Sequence, residues 1–226
     1  MRARPILLAA AVLAGAGLVA VRTPDVALLP RAQATQDTSF GAHILRLSEA
    51  GGYFDTDNLI SNERSYLHVA PVLRERAGGG AYLGVGPGQN FAYIALLQPH
   101  VAYIVDIRRD NLLEHLLFKA LFERAGDRME YMAALTGRVL PDVEATATAE
   151  AGAAMAAAAW IDRPLTEIVA YLDTASAPEE TFDAVHADVR ARLLQYGYPL
   201  DTGDLATIER FHRAFQRQGL SLRFTS

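Results

Sequence analysis

The chain of 226 residues has no cysteine, which excludes disulfides, thiolate metal sites and cysteine nucleophiles together. It has no basic excess either. Its 21 Lys and Arg are outnumbered by 26 Asp and Glu, for a formal charge of −5, so nucleic acid is not an expected partner. The six histidines (His43, His68, His100, His115, His186 and His212) never fall at the H-x-x-x-H spacing of a helical zinc site, and no metal is expected. His68 and His115 read as core or boundary histidines. Ser61 and Ser65 sit in no strained nucleophile-elbow sequence, which leaves serine hydrolysis without support. Asp55 and Asp57 flank Thr56 in a glycine-rich loop and read as turn formers whose carboxylates bond their own backbone.

Long apolar runs are scarce too, and the one present lies at the start. Arg2 and Arg4 precede sixteen apolar residues, Ile6 to Val21, which fit a signal-peptide core and fall short of the roughly 20 residues of a membrane span. Residues 1–21 are therefore expected to be a signal peptide or an uncleaved membrane anchor. A small-x-small pattern, Ala32-Gln33-Ala34, lies some way downstream. The expected location is the envelope of a bacterium, on the periplasmic side, with a cytoplasmic protein as the alternative. Membrane contact is expected only through this segment, and only if it is retained. Residues 22–40 are polar, unpatterned and linker-like.

What the chain does have is a strand–turn–helix–strand series. Ala81-Tyr-Leu-Gly-Val-Gly-Pro-Gly-Gln-Asn-Phe91 is followed by Val101-Ala-Tyr-Ile-Val-Asp-Ile107. Glycines at 84, 86 and 88 let the backbone turn sharply with no Cβ in the way of a ligand. Asp106 follows Gly88 by 18 residues, near the offset at which a second-strand acid meets ribose hydroxyls. This layout lets an α/β sheet hold an adenosine-containing cofactor. A tight turn with no ligand, and an Asp106 paired with Arg108 or Arg109, is the competing reading of the same residues.

Around this unit the pattern is helical. A helix is expected from about Ser61 to Arg76, with Tyr66, Leu67, Val69, Ala70 and Leu73 as its buried stripe and Asn58, Ser61 or Asn62 as its cap. Further helices are expected over Arg109–Arg124, Met129–Leu135, Leu165–Thr174, Glu179–Tyr196 and Leu205–Gln218, with Pro178 and Pro199 as borders. Ten of the sixteen residues from Glu144 to Ala159 are alanine, which reads as a helix-prone insertion, with Trp160 anchoring it to the core. Leu220-Ser-Leu-Arg-Phe224 alternates like an opening strand. Two clear strands fall short of the five or so of an open α/β sheet, and the expectation is an α/β domain over residues 41–226 that is truncated at its C-terminus.

The spacing Gly84-x-Gly86-x-Gly88, with Gln89 where a nicotinamide fingerprint needs Gly or Ala, resembles the first motif of class I S-adenosylmethionine-dependent methyltransferases. Ser48-Glu49, the stretch Gly52 to Leu67, Gly84 to Asn90 and Asp106 to Leu112 look like a family of uncharacterised bacterial proteins with a methyltransferase-like Rossmann fold. The resemblance implies a Rossmann-like parallel sheet with additional helices and S-adenosylmethionine as cofactor. Gly84, Gly86 and Gly88 would face its methionine part and Asp106 its ribose, with Gln89 also among the cofactor-binding residues. Tyr53, Asp55, Asn58 and Asn62 would close the pocket. No Asn/Asp-Pro-Pro-Tyr substrate motif is present, so no catalytic residue and no methyl acceptor is implied. An exported domain would lack this cytoplasmic cofactor, and the alternative is a non-catalytic binding or scaffold protein of the envelope that has kept the fold.

Overall fold

A computed structural model of the chain describes residues 8–9, 39–54, 60–61, 65–76, 78–140, 160 and 162–222. The fold is mixed α/β and mostly helical, with a small parallel sheet. Residues Leu8–Ala9 (β1) bridge to the far edge of β3 (Val101–Val105), and β2 (Ala81–Val85) pairs with β3 along its whole length, giving the order β1-β3-β2. Of the segment expected to target the chain, only Leu8 and Ala9 are described. Residues 10–38, the alanine tract 144–159 and the last four residues lie outside the described set. Among the described residues no helix is long and apolar enough to cross a membrane.

Eight α-helices are described. They are α1 (Phe40–Leu47), α2 (Ala70–Glu75), α3 (Gln89–Leu97), α4 (Arg109–Arg124), α5 (Arg128–Thr136), α6 (Leu165–Thr174), α7 (Glu179–Gln195) and α8 (Thr202–Gln218). Their ends follow from local chemistry. Asp127 caps α5 by accepting from the Glu130 amide, and Gly137, in the left-handed region, closes it. Asp201 and Asp204 form a reciprocal capping box that starts α8, so the helix begins three residues before the expected Leu205. Helix α1 lies partly in the expected linker. Ser39 accepts from the Ala42 amide, and Ile44 is fully buried.

Four expectations are corrected. The helix expected over 61–76 is instead a 3-10 turn, Tyr66–Val69, leading into the short α2. Pro71 explains the shortening: it lacks an amide proton and belongs in the first turn of a helix, not its middle. The stripe assigned to this segment is not buried, and Leu67 and Val69 are each about half exposed. His68 is exposed as well, and not a core histidine. At the other end, the alternating tail forms a 3-10 turn, Gly219–Ser221, and not a strand.

Helix α4 is the centre of the molecule. Every residue from Asn111 to Phe118 is buried, because α5, α7 and α8 pack against it. Val185, Val189 and Leu193 of α7 and Leu205, Ile208, Phe211 and Phe215 of α8 share its core. The sheet has a much smaller core of its own. Helix α3 covers one face through Ile94, over Ala102 and Ile104, while Leu83 and Val85 on the opposite face of β2 are 64% and 66% exposed. Trp160 packs beside Tyr171, at 5.1 Å between ring centroids, in a satellite cluster around Ile168 and Leu172.

Candidate functional site at the carboxyl ends of β2 and β3

The parallel register pairs Gly84 with Ile104 and Val85 with Val105. The turn after β2 and Asp106 after β3 therefore lie side by side, at the edge where α/β sheets accept ligands. The Gly86 amide donates to the Val105 carbonyl at 3.2 Å and joins the two strand ends directly.

The three glycines differ in cause. Gly86 has φ of 83°, a backbone state that side chains disfavour. A Cβ on Gly84 would run into the Asn90 side-chain oxygen and the Tyr82 ring, so packing inside the turn explains glycine there. At Gly88 the same atom would meet only the Phe91 ring edge at 3.9 Å, leaving space above the start of α3. That space, over the first amides of a nine-residue helix, suits a ligand with negative or partly negative oxygens.

Beneath the turn lies a polar cluster that sequence reasoning did not assemble. The Gly86 carbonyl accepts from Asn90 Nδ2 at 3.2 Å, Asn111 Nδ2 at 3.3 Å and the His115 Nε2–H at 3.0 Å. Asn90 Nδ2 also reaches the carbonyls of Val85 and Pro87, and its Oδ1 accepts from the Tyr82 hydroxyl at 2.7 Å. Burial, with Tyr93 nearby, pushes the Tyr82 hydroxyl up to about 12, so it stays a proton donor. Burial also pushes His115 below the usual histidine range, which favours the neutral ring, and the bond to the Gly86 carbonyl puts its proton on Nε2. Its Nδ1 and Asn111 Oδ1 are buried and have no hydrogen-bond partner among the described residues. The available signal was three polar residues on the inward faces of α3 and α4, with Asn111 and His115 one turn apart.

Asp106 is engaged within its own strand end. Oδ1 accepts from the Arg108 amide at 2.8 Å and from Arg108 Nε at 3.2 Å, and Oδ2 accepts from Nη2 at 3.1 Å. The carboxylate holds the Arg108 guanidinium above its ordinary range, and the two side chains are only 9% and 13% exposed. The loop before residue 55 continues this cover. Gly52 donates its amide to the Ile107 carbonyl at 2.8 Å, and the Phe54 ring lies 5.6 Å from the Arg108 guanidinium carbon. Tyr53 is 86% exposed on the same loop. Gln89 is half-buried, with Nε2 donating to the Val85 carbonyl at 3.3 Å. Asp55, Asn58 and Asn62 lie outside the described residues. The structure thus gathers Gly84, Gly86, Gly88, Gln89 and Asp106, with Tyr53 on the loop that reaches the end of β3.

An adenosine cofactor fits this arrangement in part. Gly88 leaves room over the start of α3, while the Gly86 amide and carbonyl are both already bonded and only shape the turn. A carboxylate oxygen has two lone pairs, and Oδ2, with one donor shown, retains one for a ribose hydroxyl. The Arg108 clasp and Phe54 narrow the way to it. Among the described residues no three metal-ligating side chains converge.

Residues 58–192, more than half of the chain, match a family described as a domain of unknown function, DUF7790. The chain belongs to that family. The matching stretch contains the glycine turn, Asp106, Arg108, the Asn90–Asn111–His115 cluster and all of α4, so most of the candidate site lies inside the DUF7790 domain, while the Gly52–Phe54 loop precedes it and α8 lies beyond it. No curated protein and no solved structure matches the chain.

Proposed function

We propose that this DUF7790 protein has a Rossmann-like unit of the methyltransferase type, binding S-adenosylmethionine at the carboxyl ends of β2 and β3. One observation supports this reading most. A left-handed glycine turn and an acid sit on adjacent parallel strands, with the turn held from below by Asn90, Asn111 and His115. The turn at Gly84, Gly86 and Gly88 would face the methionine part, with contact falling to Gly88 and the start of α3 because the Gly86 amide and carbonyl are already bonded; Asp106 Oδ2 would accept from a ribose hydroxyl, and Tyr53 would cover the base. When bound, the cofactor supplies an electrophilic methyl group. The part of this chain's residues is to fix orientation, since alignment of methyl and acceptor accounts for much of such a rate enhancement. Neutral His115 and Tyr82, both protonated donors at pH 7, keep the turn in one shape and leave the methyl acceptor to arrive from outside the cluster.

Calorimetric titration of the full chain with S-adenosylmethionine and its demethylated product tests this. Micromolar binding that Asp106→Ala abolishes is the expected result, and absence of heat with both ligands contradicts it.

A second reading has its own observation. Both oxygens of Asp106 already accept from Arg108, and Phe54 lies against that pair. A fold that had given up catalysis could keep such a clasp as structure and serve as a binding or scaffold module of the bacterial envelope. Arg108→Ala separates the two readings. It frees the carboxylate and raises affinity in a cofactor site, and it only destabilises a scaffold. A topology reporter fused after Ser226 decides between the envelope and the cytoplasm, since only an exported domain activates a periplasmic reporter.

A further inference from the structure

The helices α7 and α8 meet at two histidine rings that the candidate site does not use. His186 Nδ1 and His212 Nδ1 lie 3.1 Å apart, across 26 residues of sequence. His212 is fully buried, and its Nε2 lies 2.9 Å from the Ala134 carbonyl of α5. A carbonyl only accepts, so Nε2 carries the proton, and in the neutral ring Nδ1 keeps a bare lone pair. A hydrogen bond between the two Nδ1 atoms then requires His186 to carry its own proton on Nδ1. The Ala134 carbonyl thus sets the tautomer of both rings, one directly and the other through it.

His186 is half-buried, and its remaining nitrogen, Nε2, is where the pair can take a proton without losing its bond. The Nδ1–H of His186 then still donates to His212, as a charge-assisted bond. A second proton has only His212 Nδ1 to go to. Two N–H groups would then face each other at the 3.1 Å separation with a positive charge on each ring, and the contact cannot survive. Around His186, Asp183 of α7 and Glu209 of α8 favour the charged ring, while Arg190 of α7 and Arg213 of α8 oppose it. His212 meets Glu209, Arg213 and His186 itself, with the Ala134 carbonyl as the contribution of α5. Arg213 also holds Glu179, Asp183 and Glu209 in ion pairs, and Phe182, stacked on His186 and 4.6 Å from His212 between ring centroids, walls one side. Burial outweighs these charges and pushes both rings below the usual histidine range.

We propose that the His186–His212 contact is an acid-sensitive fastener between α7 and α8, closed while both rings are neutral or one is charged and open once both are charged. The protons come from solvent, the first onto His186 Nε2 and the second onto His212 Nδ1. Titration belongs to the pair, in two coupled steps, and opening accompanies the second. That second step falls near the value of about 4 to which burial, with His186 alongside, lowers His212. There α7 loosens from α8 while α4 keeps its other contacts. The device is separate from the glycine turn and does not depend on the function proposed above.

Long-range proton–nitrogen correlation spectra of the histidine rings, recorded on the full chain from pH 7 to pH 4, read tautomer and charge directly. At pH 7 His186 should show Nδ1–H and His212 Nε2–H, and His186 should charge first. Amide hydrogen exchange over the same range, with α4 as internal reference, should find α7 protected through the first step. At the second it should exchange about tenfold faster or more, since each unit by which a pKa is lowered is tenfold in an equilibrium constant. His186→Gln keeps a donor to His212 but never a charge, so His212 should charge at higher pH there than in wild type. His212→Gln removes the second step and should hold α7 protected down to pH 4. An Nε2–H tautomer on His186 at pH 7, an unmoved His212 midpoint in His186→Gln, or α7 protection that survives the charging of both rings would each overturn the proposal.

Discussion

The helical half and the strand half of this molecule are built on different terms. Around α4, side chains from four helices close on one another, and Leu113, Leu116, Leu117, Phe211 and Leu193 are each about 1% exposed or less. Around β2 and β3 the buried apolar residues are Ile94, Ala102, Ile104 and Val105, and the outer face of β2 displays Leu83 and Val85. The strand half owes its shape more to hydrogen bonds, three of them on one carbonyl oxygen at Gly86, than to apolar burial. Stability therefore resides in the helices, while the turn that carries the candidate site is held by a polar cluster leaning on α4. A site of this kind can be altered without unfolding the protein, and the protein can be unfolded without touching the site.

The largest expected effect lies in the helical half. Phe211→Ala removes a ring at 1% exposure and should cost about 3–5 kcal/mol, measured by urea unfolding; a loss below 1 kcal/mol would mean that the core around α4 is not the main source of stability. Next comes acid. Burial lowers His212 from 6.5 to about 4, so the folded state prefers the neutral ring. Its stabilising contribution is complete above pH 6.5 and is lost progressively as pH falls from there towards 4, by about 3 kcal/mol at most. Unfolding at pH 7, 5 and 4 measures this, and His212→Gln should flatten the slope. A slope unchanged by that variant would place the acid sensitivity elsewhere, for instance at His115, which burial also lowers.

Smaller effects belong to the strand half. Gly86→Ala places a Cβ on a residue at φ of 83° and should cost about 1–2 kcal/mol, with a larger loss in cofactor affinity than in stability. Equal loss at both would reduce the turn to a structural corner. Leu83→Ala, on the open face, should shift stability by no more than about 0.5 kcal/mol. A much larger shift would show that this face is covered in solution.

The helical half was far more legible in the sequence than the strand half. The leucines from 112 to 121 recur with helical spacing, and Arg109–Arg124 and Leu165–Thr174 have the expected bounds, because burial on one core imposes that period over many residues. At Asp201 a side-chain cap moved the start of α8 back by three residues, and at Pro71 a missing amide shortened α2. Both are local bonds that periodicity does not see. At the candidate site the glycines and Asp106 could be read from spacing, and their adjacency follows from the parallel pairing of β2 and β3. The clasp by Arg108, the support from Asn111 and His115, and the meeting of His186 with His212 arise from tertiary packing, for which no spacing rule exists.

The central claim is that the end of the β2–α3–β3 unit binds an adenosine cofactor, and amide hydrogen exchange tests it most directly. Exchange is followed in the full chain with and without saturating S-adenosylmethionine. The account predicts slower exchange at residues 84–91, at 106–108 and in the loop at 51–54, with α7 and α8 unchanged. Identical exchange at the glycine turn with and without the ligand would contradict it.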